Sequence, residues 1–91
     1  MKVTLAQTSP KLNRLNLQSI IEIIDDIKDK SDLIVFPELS LNGYLLQDKL
    51  FEDAWDLSEL SALEELSKSI DIVVGGAIKD SNVFRNSALY F

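Results

Sequence analysis

The 91 residues contain no cysteine and no histidine, and this decides at the outset which chemistries the chain can run by itself. There is no Cys-His or Ser-His pair, no zinc site built on thiolate or imidazole ligands, and no disulfide. Carboxylates, lysines and hydroxyls remain. One carboxylate is set apart by its neighbours: Glu38, in the stretch LIVFPELSLNGY from Leu33 to Tyr44, comes directly after an apolar run and a proline. Proline donates nothing to a sheet ladder and biases the preceding residue toward extended geometry. Pro37 is therefore expected to end the pairing of a strand and leave Glu38 at its carboxyl end. In open α/β sheets that edge is where ligand sites sit. A carboxylate kept partly out of water by Phe36 and Leu39 is a stronger base, which suits a general acid or base working near neutral pH. The alternative is a loop glutamate turned into solvent.

The other acids carry less information. Glu22, Asp25, Asp26 and Asp29, then Glu52, Asp53, Asp56, Glu59, Glu64 and Glu65, are spread along helical stretches and are expected to be solvated faces. No D-x-[DN]-x-[DN]-G loop accompanies them, so no metal is implied. A formal net charge of -6 without a basic block lacks the footprint that phosphate-backbone binding requires, so nucleic acid is not expected as a partner. No apolar segment is long enough to span a bilayer. The first residues enter strand-like alternation without a secretory h-region, so a cytoplasmic location is expected.

These residues need elements to hold them. Lys2 to Thr8 alternates, with Val3, Leu5 and Gln7 on one side and Thr4, Ala6 and Thr8 on the other, and predicts a strand stopped by Ser9-Pro10. From Leu12 the period changes to three and four: Leu17, Ile20, Ile21, Ile24 and Ile27 predict an amphipathic helix ending near Lys30, with Asn13 or Asn16 as its cap. Leu33 to Phe36 reads as a short strand buried on both faces of a parallel or mixed sheet. After a loop from Pro37 to Gln47, Leu57, Leu60, Leu63 and Leu66 mark a second helical stretch, opened by Asp56-Leu57-Ser58-Glu59 with capping-box spacing. Ile70 to Ile78 predicts another buried strand, Asp80-Ser81-Asn82 a turn, and Val83 to Phe91 a last strand. Gly75-Gly76 has neither a G-x-G-x-x-G frame nor a following Lys-Ser/Thr, so close backbone approach within the sheet is expected rather than a phosphate cradle. The order is β-α-β-loop-α-β-β, an α/β class. The final NSALYF ends inside an apolar strand, which predicts that residues 1–91 are one part of a larger domain.

Taken in order, VTLAQTSP, the helix with Asn16-Leu17, DLIVFPELSLNGY, VVGGAIKD and RNSALYF resemble the amino-terminal part of the nitrilase superfamily of carbon-nitrogen hydrolases. The resemblance covers essentially the whole chain. It implies an αββα sandwich and a Glu-Lys-Cys triad in which a cysteine thiolate attacks an amide or nitrile carbon, a glutamate acts as base and a lysine stabilises the tetrahedral species. Glu38 matches that glutamate. Tyr44 matches an aromatic position near the family's pocket, with packing as its alternative, and Asn86 fits an Asn-Ser string assigned to the fold. No cofactor is implied; a small-molecule amide is the expected substrate and a dimer or larger assembly the expected state. The chain departs from the pattern at the nucleophile, since it has no cysteine, and none of its lysines stands in the family's lysine motif. Alone it is expected to be inactive. GYLLQDKLFEDAW further resembles the corresponding loop in the glutaminase domain of glutamine-dependent NAD synthetases, a narrower branch, although it lacks prolines after Tyr44. A different class stays open beside these: a non-catalytic α/β module that binds a partner through its sheet edge or leucine-striped helix.

Overall fold

The computed structural model describes residues 1–8, 14–43, 54–81 and 83–91. Four strands form one mixed sheet in the order β1-β2-β3-β4: Val3–Leu5, Leu33–Val35, Asp71–Asp80 and Val83–Tyr90. β1 and β2 pair in parallel, β2 and β3 in parallel, and β3 and β4 antiparallel. Helix α1 (Asn16–Ile27) connects β1 to β2, while a 3₁₀ turn (Leu57–Leu60) running into α2 (Ser61–Leu66) precedes β3. This is the α/β class and element order that the periodicities predict. No helix among the described residues is long and apolar enough to cross a membrane.

The core lies on one face of the sheet. Ile20 and Ile24 of α1 and Leu60 and Leu63 of the second helical stretch pack on Ile34, Phe36, Ile72, Val74 and Ile78. α1 holds its apolar residues at three- and four-residue spacing, so one stripe faces the sheet and Glu22, Asp25 and Asp26 face water. Its start differs from the expected cap: the N-cap position is Leu15, and Asn16 is buried as the first helical residue. Asn13 lies outside the described residues. The leucine stripe is also trimmed. Leu60 and Leu63 are buried, but Leu57, the first residue of the 3₁₀ turn, is 58% exposed. The expected capping box is present, with Glu59 Oε1 accepting the Asp56 N–H at 3.0 Å.

The other face of the sheet is open, and this corrects one expectation and settles a choice that alternation left open. β2 is not buried on both faces: Ile34 is 0% exposed, whereas Leu33 and Val35 on the opposite side are only half-buried. In β1 the large apolar residues Val3 and Leu5 are exposed, and the smaller Thr4 and Ala6 face inward. Alternation gives the two faces of a strand but not which of them meets the helices.

Two outcomes follow from this packing. Ile34→Ala should destabilise the 91-residue chain by about 2–5 kcal/mol, while Leu5→Ser should change it by less than about 0.5 kcal/mol, as read from urea unfolding midpoints; the reverse order would place the core on the wrong face. The second concerns Glu59, whose carboxyl is held below the ordinary value of 4.5 by the hydrogen bond from Arg14 and then by the Asp56 N–H. A group depressed in the folded state stabilises above its unfolded pKa, and that contribution is lost as pH falls through the folded value. Glu59→Gln should therefore flatten the acid limb of a stability-against-pH curve below about pH 4.5, by a small amount because the pair is surface-exposed.

Candidate functional site

β3 runs for ten residues, but β2 accompanies it only from Asp71 to Val73. The ladder stops at Phe36, whose N–H donates to Val73 C=O at 2.8 Å; Pro37 comes next, and the chain leaves the strand there. The chain then folds into a compact turn. Ser40 N–H donates to Pro37 C=O (3.2 Å), and Asn42 and Gly43 N–H both donate to Leu39 C=O (3.0 and 2.7 Å). Leu39 sits in the left-handed region (φ 52), as does Gly43 (φ 77). For leucine that conformation costs about 1–3 kcal/mol and persists only where surrounding bonds over-determine it.

The turn is fastened to the part of β3 that β2 leaves unpaired. Leu41 N–H donates to Gly75 C=O at 2.9 Å. The Ser40 hydroxyl accepts from Gly75 N–H and donates to Gly75 C=O, both at 3.2 Å. Asn42 Oδ1 accepts from Ala77 N–H at 2.8 Å. Ser40 and Asn42 are 2% and 1% exposed, so these bonds are made away from water. Asn16 reaches across from α1 to donate to Leu41 C=O at 3.4 Å. Beyond the turn, Trp55 takes over the same edge: its N–H donates to Ala77 C=O and its C=O accepts from Lys79 N–H, both at 2.8 Å.

The glycine pair makes this fit possible. A Cβ on Gly75 would lie 2.7 Å from Leu39 N and 2.8 Å from Pro37 O, and one on Gly76 would meet Leu41 Cδ1 at 2.8 Å. Close backbone approach is thus the role of Gly75, as expected, and the approaching backbone is the turn that carries Glu38; Gly76 instead makes room for the Leu41 and Asn42 side chains. Gly76 shares its side of β3 with the core residues Ile72 and Val74, so Gly75 belongs to the open face and Glu38 crosses the sheet there.

Glu38 borders a cleft of about 310 Å³ whose walls include Phe36, Val73, Gly75, Asn86 and Ala88. Its side chain is exposed, which corrects the expected desolvation. Phe36 is buried in the helix-side core and Leu39 is buried too, so neither covers the carboxylate. Asn86, assigned by the sequence to the fold, is exposed on the same cleft and makes no side-chain hydrogen bond among the described residues. The structure thus brings a carboxylate, which can accept a proton, beside a carboxamide, which can both donate and accept. Tyr44 lies outside the described residues. Sequence reasoning missed Ser40 and Asn42; the available signal was two short polar residues alternating with the apolar Leu39 and Leu41. Among the described residues no group of three or more acidic side chains could hold a metal ion.

The sequence profile described as carbon-nitrogen hydrolase matches residues 2–91. A glutamine-dependent NAD(+) synthetase from Acinetobacter baylyi is 36% identical over 76 residues, which is 80% of this chain and 14% of that protein. The enzyme of the same name from Aquifex aeolicus is 33% identical over 76 residues, 81% of this chain and 12% of that one. Among solved structures, the glutamine-dependent NAD+ synthetase from Acinetobacter baumannii superposes with a TM-score of 0.75 at 35% identity, covering 99% of this chain and 18% of its own. XC1258 from Xanthomonas campestris, a CN-hydrolase superfamily protein, superposes with a TM-score of 0.80 over 100% of this chain and 39% of its own. At 14% identity the latter likeness is one of fold alone. The chain therefore spans about an eighth of the length of the curated relatives it matches.

The glycine contacts give a direct check. Gly75→Ala forces a methyl against turn backbone on one side of β3 and should destabilise by about 1–3 kcal/mol. Gly76→Ala meets mainly the movable end of Leu41 and should cost less. Equal unfolding midpoints for Gly75→Ala and the parent chain would show that the turn does not rest on β3.

Proposed function

The chain belongs to the carbon-nitrogen hydrolase family, and on that premise we propose that residues 1–91 form the amino-terminal part of a longer hydrolase in which Glu38 is the general base. The substrate is a linear amide, and the relatives named for glutamine-dependent NAD synthesis favour the side-chain amide of glutamine, with the domain acting as a glutaminase.

The chemistry follows from the triad that the family resemblance implies. Glu38 takes the proton of a cysteine thiol, the thiolate attacks the amide carbon, and a lysine stabilises the charge gathering on the carbonyl oxygen. Collapse of the tetrahedral species breaks the C–N bond, and ammonia leaves with a proton returned by Glu38. Water, deprotonated by the same carboxylate, then attacks the thioester and releases the acid and the thiol. The 91 residues contain no cysteine and none of their lysines stands in the family's lysine motif, so the nucleophile and the lysine come from sequence outside them. What supports the reading above all is the position of Glu38 on the open face of the sheet, where β2 stops and a cleft begins. Further chain laid over the exposed Val3, Leu5 and Tyr90 would complete the sandwich and draw Glu38 out of water, giving it the desolvation that a base needs.

The test uses the natural polypeptide that carries residues 1–91. It should release ammonia from glutamine, and Glu38→Gln should lower turnover by about 10²–10⁴-fold with an unchanged circular dichroism spectrum. Turnover kept in the Glu38→Gln protein would refute the role given to the carboxylate.

A further inference from the structure

Three of the hydrogen bonds that tie the Glu38 turn to β3 come from two side chains. Among the described residues, Glu38 itself makes no hydrogen bond to β3, and the only backbone donor from the turn to that strand is Leu41 N–H, to Gly75 C=O. The Ser40 hydroxyl serves Gly75 as donor and acceptor at once, and Asn42 Oδ1 serves Ala77. A hydroxyl that accepts an N–H and donates to a C=O supplies both of the bonds that a neighbouring strand would give Gly75. Ser40 therefore serves the Gly75 groups that a continued β2 would have served.

From this we infer that Ser40 and Asn42 are positioning residues for the Glu38 carboxylate. The inference rests on the reading of Glu38 as general base and goes beyond it by naming what sets that base in place. Glu38 lies between the last β2 bond, at Phe36, and the Ser40 clamp, two residues away on each side. Its own conformation is not held by packing, because its side chain is exposed. The turn is nonetheless closed on itself: bonds from Asn42 and Gly43 meet at Leu39 C=O. Loss of the clamp thus moves the unit as a whole and carries the carboxylate with it. Ser40 and Asn42 reach the reaction only through that displacement, since both are buried beneath the turn. A carboxylate displaced by about 1 Å from its proton-transfer partner loses on the order of 10²-fold in rate, while contacts to the rest of the substrate are kept.

The experiment measures ammonia release from glutamine by the natural polypeptide carrying residues 1–91, as parent, Ser40→Ala, Asn42→Ala, Glu38→Gln and the double variant Glu38→Gln with Ser40→Ala. Ser40→Ala and Asn42→Ala are expected to lower kcat by about 10–100-fold with KM within about threefold, and to shift the acid limb of the kcat/KM profile. In the Glu38→Gln background, Ser40→Ala is expected to remove no further turnover, because residues acting through one group are not additive. Should Ser40→Ala fail to fold, Ser40→Cys replaces it, with nearly the same shape and a poor hydrogen-bonding atom, and the same kcat loss is expected. Wild-type kcat in the serine and asparagine variants, with Glu38→Gln inactive, overturns the positioning role alone. A lowered unfolding temperature with unchanged kcat does the same, since it marks a structural role only. Turnover by Glu38→Gln, or a parent that releases no ammonia, overturns the base reading and this inference together.

Discussion

The rest of the structure depends on how the β2-facing edge of β3 is satisfied. β3 is buried through its middle, and a buried backbone N–H without a partner costs about 1–3 kcal/mol. β2 is only three residues long, so most of that edge must be served by something other than a strand. The chain solves this in relays: Asp32 C=O accepts from Asp71 N–H, Phe36 serves Val73, the Ser40–Asn42 turn serves Gly75 and Ala77, and Trp55 serves Ala77 and Lys79. Each relay is a place where the connecting chain is pinned to the sheet. The only one reached directly from the end of β2 carries Glu38.

That arrangement places Glu38 on a turn rather than on a regular element. A glutamate within β2 would point squarely to one face and be fixed by its neighbours, with no room for a ligand between strands. By stopping β2 at Pro37 and bridging with side chains, the fold opens a gap in the sheet's surface and keeps the backbone at its rim bonded. The glycines at 75 and 76 are the counterpart on β3, since any side chain at 75 would push the turn off the strand. The left-handed Leu39 is the local cost of seating the turn so closely, and the two bonds that converge on its carbonyl hold it there.

The far end of the relay is held differently. Trp55 is 6% exposed, and the Arg14 guanidinium lies 3.8 Å from its ring centroid while also pairing with Glu59 at 2.8 Å. One cation thus joins the approach to α1, the residue returning to β3 and the start of the second helical stretch. Stacking of this kind contributes about 0.5–1 kcal/mol at partly exposed sites, enough to help fix where the chain rejoins the sheet after the turn.

Much of this was legible in the sequence. Element order and class followed from the change between a period of two and one near 3.6, because backbone geometry imposes those periods whatever surrounds them. The end of β2 followed from Pro37, because a proline withholds an N–H and is confined to edges and ends of strands. Glu38 was legible as an acid at a strand terminus, and Gly75-Gly76 as a close approach, for the same local reasons. The sequence by itself did not determine which face of β1 and β2 is core, since alternation is symmetric until a helix layer chooses a side. Nor did it determine that Phe36 and Leu39 would leave Glu38 exposed, that Asn86 would share its cleft, or that Ser40 and Asn42 would substitute for a strand. Those were decided only by tertiary structure: each depends on elements distant in the chain meeting at the sheet, as where Ser40 and Asn42 bond Gly75 and Ala77 at 35 positions' separation, and no local pattern encodes such a partner.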